Sequence, residues 1–253
     1  MTPTFTATAL PGIPLVRPGD DLSRLILDGL ERVGLTLQAR DVLVISSKIV
    51  SKSEGRFVTL SMIQPSPEAQ QLAQETNKDP RVVELVLQES RKVSRKGKHV
   101  LVTEHRLGFV SANAGIDQSN VDETQTNVLL LPLDPDDSAQ HLRDTLHTHS
   151  GADTAIIISD THGRPFRVGN VGVAIGVAGM LAVADLRGQM DLFGRRLEIT
   201  IQGYADLVAS AAHLLCGEAS EGRPVIHIRG LDYPVGEGHA TDLNRPAEND
   251  LYR

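Results

Sequence analysis

The residues best equipped for chemistry stand at Asp160-Thr161-His162-Gly163-Arg164, where an apolar run breaks off. Residues 154 to 158 read as a buried strand, which sets Asp160 at its carboxyl end, where open sheets usually hold ligand chemistry. A carboxylate beside the Thr161 hydroxyl, with Arg164 and Arg167 close behind, suits a metal and an anion better than it suits packing. Of nine histidines, His162 is the only one in such a setting. A second strand, Leu107 to Ala112, runs into Asn113-Ala114-Gly115-Ile116-Asp117-Gln118-Ser119-Asn120. An Asx-type turn explains that composition without a ligand. Two strand ends, each offering one aspartate, also suit a hard cation such as magnesium or manganese, which takes few carboxylates and leaves positions for phosphate oxygens.

Further candidates are cationic or small. A short strand, Asp41 to Ile45, leads into Ser46-Ser47-Lys48, then Ser51-Lys52 and Glu54-Gly55-Arg56. These fit either a phosphate site or a solvated turn and edge strand. The small-residue stretch Gly217-Glu218-Ala219-Ser220-Glu221-Gly222 fits either a phosphate loop or a plain helix terminus. The chain has no G-x-x-x-x-G-K-[ST], no dinucleotide fingerprint and no H-E-x-x-H. The DPDDS turn at 134 to 138 lacks the spacing of a calcium loop and reads as a helix cap.

The elements that must position these residues follow from periodicity and capping. Residues 9 to 16 form an extended entry with a tight loop. Asp20 or Asp21 caps a helix ended by Gly34, with Leu22, Leu25, Ile26, Leu30 and Val33 at helical spacing. Ser66-Pro67 and Asp79-Pro80 start two more helices. The basic run Arg91 to Lys98 reads as the solvated end of the second. His99 to Thr103 and Leu107 to Ala112 form a hairpin, Ala139 to His149 a helix, Leu197 to Gln202 a strand, Tyr204 to Leu215 a helix and Pro224 to Ile228 a last strand. Between 171 and 178, Val171, Val173, Ile175 and Val177 alternate with Gly172, Ala174, Gly176 and Ala178. That is a strand with one nearly bare face, which predicts close approach of a flat ligand or another backbone. The tail from about 237 is polar and expected to be loosely held.

Composition narrows the class. The 253 residues carry a net charge of -7, no Trp and one cysteine. That balance argues against a nucleic-acid surface, which needs a basic field and stacking platforms. The N-terminal residues lack the basic and apolar regions of a signal peptide. The longest apolar stretch, Val171 to Ala184, is too short and glycine-rich to span a bilayer. The residues alone predict a cytoplasmic metal-and-phosphate enzyme of mixed α and β structure.

The segments LPGIPLVRPGDDL (10 to 22), DVLVISSKIVSKSEGR (41 to 56), NAGIDQSNVDE (113 to 123), LLLPLDPDDSA (129 to 139), ISDTHGRPFRVGNVGVAIGVAGM (158 to 180) and DLFGRRLE (191 to 198) together resemble the coenzyme F420-0:L-glutamate ligase family. The resemblance runs over roughly residues 8 to 236. It implies one α+β domain spanning 1 to 253, with a mixed sheet and an intertwined homodimer. It implies GTP-dependent addition of L-glutamate to the deazaflavin coenzyme F420-0, followed by gamma-linked glutamates. Carried over by position, it places the nucleotide on Leu10, Pro11, Gly12, Ile13, Ser47, Lys48, Lys52 and Asn120, with Gly217, Glu218 and Gly222 following the phosphates. Mg2+ or Mn2+ would be held by Asp117, Asp160, Thr161 and Glu218, and Asp117, Asp160 and Lys52 would serve catalysis. The 217 to 222 loop is poorer in glycine than the family pattern. Since a carboxylate resists attack by an amine, the expected route is an acyl phosphate. The alternatives are a related carboxylate-amine ligase with another acceptor, or a non-catalytic nucleotide-binding protein.

Overall fold

The computed structural model describes residues 2–123 and 126–250. In chain order the elements are β1 (Thr6–Ala9), α1 (Leu22–Arg32), β2 (Val42–Ser46), α2 (Ser47–Ser53), β3 (Phe57–Thr59), α3 (Pro67–Thr76), α4 (Pro80–Gln88), β4 (Ser90–Gly97), β5 (Val100–His105) and β6 (Val110–Ala112). The second half adds β7 (Asn127–Leu129), α5 (Pro135–Ser150), β8 (Ala155–Arg164), β9 (Arg167–Ala178), β10 (Ala184–Asp185), β11 (Ile201–Gln202), α6 (Tyr204–Cys216) and β12 (Val225–Arg229). The central sheet has the order β1-β12-β2-β8-β9. Only β2 and β8 pair in parallel, so the sheet is mixed and the fold is α+β, as expected.

Alternation along the inner strands sorts side chains between two layers. Leu43, Ile45, Ile156 and Ile158 face α1 and α5, while Val42, Val44, Ala155 and Ile157 face α6. Beneath the α1 layer, the fully buried Asp41 is gripped by Arg229, with Nε and Nη2 donating at 2.7 and 2.6 Å, and by His227 at 2.9 Å. Burial pushes the Asp41 carboxyl up, but these donors outweigh it and hold it below the usual aspartate range. A third cluster, built on α3, α4 and β5, fills the segment inserted between β3 and β7.

The β8–β9 ribbon differs from its sequence reading in two ways. First, β8 does not stop at the apolar run but continues to Arg164, because every polar residue after Ile158 has a partner in β9, Asp160 opposite Val173 and Thr161 opposite Gly172. Second, Ile175 is an extra residue in β9, since Ile158 pairs with Gly176 and Ser159 with Ala174. This bulge switches the alternation. Gly172 therefore faces α6 and Gly176 faces the start of α5. A Cβ on Gly172 would stand 2.3 Å from His213 Cδ2, and one on Gly176 would stand 2.3 Å from the Pro135 carbonyl oxygen. Of the two neighbours expected for the bare face, a flat ligand or another backbone, it is backbone that comes close, at the Ala209 and Pro135 carbonyls of the flanking helices.

Four other expectations are corrected. The basic run 91 to 98 lies in β4, not at a helix end, because pairing with β5 sets Lys92 opposite Glu104. Residues 47 to 53 form α2 rather than a turn and edge strand. Of the strand expected over 197 to 202, only Ile201–Gln202 pairs. The tail is held: the Ala240 N–H donates to Asp136 Oδ1 at 3.0 Å and Asn244 Nδ2 to the Leu107 carbonyl at 3.1 Å. Among the described residues no helix is long and apolar enough to cross a membrane.

The inserted segment is tied to the connection between α2 and β3 through Glu89, at the end of α4. Its carboxylate lies 3.0 Å from Arg106 Nε, 3.4 Å from Arg56 Nη2 and 3.6 Å from the fully buried His105 Nε2. Burial alone would raise the Glu89 carboxyl, yet the His105 ring beside it, the Arg106 hydrogen bond and the arginine charges bring it to about 2. A value below the ordinary 4.5 adds stability that is complete above that pH and is lost as pH falls through 4.5 towards 2. The expected contribution is about 3 kcal/mol. Denaturant titrations between pH 7 and 2 should show Glu89→Gln less stable at neutral pH and flatter in the acid range than the parent; parallel curves would remove this role. Gly176→Ala, meeting backbone rather than a movable side chain, should cost about 1–3 kcal/mol in the same assay. An unchanged midpoint would mean that α5 is free to shift.

Candidate functional site

The site forms where the end of β2, the middle of β8 and the 113 to 120 loop lie beside one another. A cleft of about 600 Å³ opens there, lined among others by Lys48, Lys52, Asp117, Asp160 and Glu218. Lys48 and Lys52 are one helical turn apart on α2, so both ammonium groups leave the same face. Lys48 Nζ donates to the Ser119 carbonyl at 3.1 Å and lies 3.5 Å from Asp117 Oδ1. Lys52 Nζ donates to the Asn120 carbonyl at 2.7 Å. Its stem is buried, and burial together with the Lys48 charge pulls its pKa below the usual lysine value.

Asp117 is fixed by a backbone bridge in which it and Leu129 exchange N–H···O bonds of 2.9 Å. Burial, with the charge of Asp160 added, raises the Asp117 carboxyl to about 6 against the opposing pull of Lys48 and Lys52. Gly115 makes this approach possible, since a Cβ there would stand 2.7 Å from Leu131 and 3.4 Å from Asp160 Oδ2. Asp160 and His162 share one strand face at i and i+2, and His162 Nε2 lies 3.1 Å from Asp160 Oδ2. Behind His162, Phe109 packs at 4.9 Å and stacks in turn on His105 at 4.9 Å. A column of three rings thus joins the Glu89 cluster to Asp160.

The opposite rim is the 217 to 222 loop. Gly217 adopts φ +74°, and a Cβ there would overlap the Glu221 carboxylate, which folds back to accept the Ala219 N–H at 2.8 Å. Asn120, itself at φ 54°, donates from Nδ2 to the Ala219 carbonyl at 2.9 Å and so clips the two rims together. Glu218 Oε1 lies 3.4 Å from His213 Nδ1, whose Nε2 is 3.3 Å from Ser159 Oγ.

Of the residues expected from sequence, the cleft gathers Ile13, Ser47, Lys48, Lys52 and Asn120, the acidic set Asp117, Asp160, Thr161 and Glu218, and Gly217 and Gly222. Leu10, Pro11 and Gly12 lie outside its lining. Leu10 is fully buried in the α1 layer and its N–H pairs with the Val225 carbonyl at 2.9 Å, because the segment enters along β12. Arg164 and Arg167 are also absent, since four further strand residues carry the chain roughly 13 Å onward; Arg164 Nη2 instead bonds the Val168 carbonyl. His213, Ser159 and the Phe109–His105 pair were not foreseen. Nothing in their local spacing marks them, because each meets its partner across a tertiary interface.

Hard-cation chemistry fits this arrangement in part. Among the described residues no three His, Cys, Asp or Glu side chains converge tightly enough to hold a metal. Asp117 and Asp160 nonetheless share one electrostatic environment at the cleft floor, and magnesium characteristically takes only one or two carboxylates plus substrate phosphates. Glu218 stands apart, turned towards His213.

The comparisons with known proteins agree on one family. The family model described as F420-0:Gamma-glutamyl ligase matches residues 12–230. A protein of Methanothermobacter thermautotrophicus named coenzyme F420:L-glutamate ligase is 48% identical over 246 residues, covering 96% of each chain. Its namesake in Methanopyrus kandleri is 46% identical over 255 residues, covering 99% of this chain and 98% of its own. That of Methanocaldococcus jannaschii is 42% identical over 243 residues, covering 95% and 94%. With the match spanning nearly the whole fold and both rims of the cleft, the chain belongs to the F420-0:gamma-glutamyl ligase family.

Proposed function

We propose that this protein joins L-glutamate to coenzyme F420-0 in a GTP- and divalent-metal-dependent reaction, and then adds gamma-linked glutamates. The observation that carries the reading is the meeting of two carboxylates, Asp117 and Asp160, with two lysines, Lys48 and Lys52, in a single cleft. Family membership and the relatives' names supply the substrate pair.

A carboxylate must be activated before an amine attacks it. The acceptor carboxylate oxygen forms a bond to the γ-phosphorus of GTP as the bond to the β-phosphate oxygen breaks and GDP leaves. The amine nitrogen then bonds the acyl carbon, the carbon–oxygen bond to phosphate breaks, phosphate departs with the electron pair, and the amine proton passes to solvent. Lys48 and Lys52 offset phosphate charge during the first transfer. Main-chain carbonyls hold both ammonium groups at the cleft, and Lys48 also stands 3.5 Å from Asp117 Oδ1, so the pair is fixed where phosphate oxygens would lie. Asp117 and Asp160, with Thr161 beside them, would hold Mg2+ or Mn2+, which neutralises charge built up on the transferring phosphoryl group. Glu218 is the fourth candidate ligand, and Asn120 keeps the 217 to 222 rim against the nucleotide.

The quaternary proposal is a homodimer. Val168, Leu192, Phe193 and Ile199 are each at least 88% exposed, on the ribbon tip and on the arm between β10 and β11. Large apolar residues grouped this way favour coverage by another surface, and a second copy of the chain offers the same ribbon and arm. Light scattering should return twice 27.3 kDa; a monomer mass at micromolar concentration would reject the dimer.

Mass spectrometry of F420-0 incubated with the protein, L-glutamate, GTP and manganese should show glutamyl additions that vanish without metal and with ATP in place of GTP. Asp160→Ala should fold normally by circular dichroism yet lose turnover by at least about a thousandfold. Near-parental rates for that variant in saturating manganese would remove Asp160 from the metal set.

A further inference from the structure

A second cavity, of about 580 Å³, lies on the far side of the loop that carries Asp117. Asp117 lines both spaces, so the stretch Ile116 to Ser119 acts as the partition between them. The second cavity is walled by the junction of α3 and α4 and by the turn between β4 and β5. Among the described residues that line it, the one lysine or arginine is Lys78. That side chain is half-buried, and among the described residues its Nζ has one hydrogen bond, to the His99 carbonyl at 3.3 Å. Among the described residues no carboxylate lies within salt-bridge distance of it. The nearby Asp79 is already engaged by the guanidinium of Arg81, through Nε at 3.0 Å and through Nη2. Burial without an opposing charge pulls the Lys78 ammonium below the usual lysine pKa. A half-buried cation with no carboxylate partner gains from an anionic ligand that reaches it.

We infer that this cavity is the entry and binding site of the amino-acid substrate, with Lys78 receiving a carboxylate of L-glutamate and Asp117 marking where the amine reaches the activated acyl group. The inference rests on the ligase reading proposed above. The fit is chemical on three counts. L-Glutamate brings two carboxylates, and Lys78 supplies the cation. It brings a short methylene stem, and Val82 and Ile116 supply apolar wall. Its remaining polar atoms meet the amide and hydroxyl groups of Asn77, Asn113, Gln118 and Ser119.

Topology supports the same assignment. The nucleotide and the amine must approach the reacting carboxylate from different directions, because the γ-phosphoryl group occupies one side of it until the acyl–phosphate bond breaks. One loop with a cavity on each face, and an aspartate common to both, provides that separation. Lys78 is then a specificity residue for the amine substrate and takes no part in nucleotide binding.

The test uses the full-length protein and L-glutamate as the probe. In steady-state ligation with F420-0, GTP and manganese, Lys78→Met should raise the KM for L-glutamate ten- to a hundredfold, the range expected for losing one charge-assisted hydrogen bond, and leave the KM for GTP within twofold. Lys78→Arg should recover most of the loss. Calorimetric titration of L-glutamate, run with a non-hydrolysable GTP analogue and without F420-0, should show the same loss of affinity in Lys78→Met. An unchanged glutamate KM in an actively ligating Lys78→Met overturns the site and leaves the ligase reading intact. Equal rises in both KM values overturn it too, since the cavity would then serve the nucleotide. Lys78-dependent glutamate binding in a protein that never extends F420-0 keeps the site and rejects that acceptor. Wild-type protein that neither binds nor ligates glutamate overturns both.

Discussion

The structure depends on how β9 is satisfied as an edge strand. Among the described residues its outer side has no neighbouring strand, and unpaired main-chain groups there would be costly or adhesive. Helix side chains take them instead. Asp206, in the first turn of α6, accepts the Ala174 N–H at 2.8 Å, and Ser210 donates to the Gly172 carbonyl at 2.7 Å. Asp136, in the first turn of α5, accepts the Val177 N–H at 2.8 Å. The bulge at Ile175 sends the small residues on either side of it to opposite faces, so each helix finds a glycine to settle on. Both helices are therefore registered against one strand, and Ser159 and Asp160 are held directly across from it.

That registration passes into the cleft by two routes. Seated over Gly172, His213 spans from Ser159 to Glu218 and sets the position of the 217 to 222 rim. On the other side, Glu89, His105, Phe109 and His162 form a continuous packed line that ends on Asp160 Oδ2. Asp160 is thus supported from a rigid interior while its surroundings open to the cleft. The lysines of α2 are steadied differently, by carbonyls of the turn that follows Asp117. The same turn separates the two cavities, so in the proposed reading one short segment stands between the nucleotide, the metal ligands and the amine entry.

Much of this was legible in the chain. Caps are local chemistry, and Asp21, Ser66, Asp79 and Asp134 each accept the backbone N–H that a helix start leaves free. Hydrophobic runs at 42 to 45 and 155 to 158 announced buried strands because burial on both faces removes polar alternation. Aspartates beside Asn and Gly, and lysines four apart, are chemical types whose presence needs no coordinates. The resemblance added order to these fragments, and the α+β class and family membership followed.

Tertiary structure decided the rest, for identifiable reasons. Strand continuation through Asp160 to Arg164 requires partners in β9, and pairing is a property of two segments, so an apolar run alone marks only its buried half. The basic stretch 91 to 98 carries little local preference, and Glu104 and Glu75 across from it made a strand of what read as a helix end. The bare stripe of β9 was visible as composition, but a one-residue bulge reassigned its faces. Leu10 sits within a correctly recognised segment, yet its side chain went to the core because β12 draws that backbone inward. Sequence by itself determined the inventory of charges, caps and buried strands, since these depend on residue type and near neighbours. Which of those groups share a cavity depended on contacts between residues far apart in the chain, and only packing sets those.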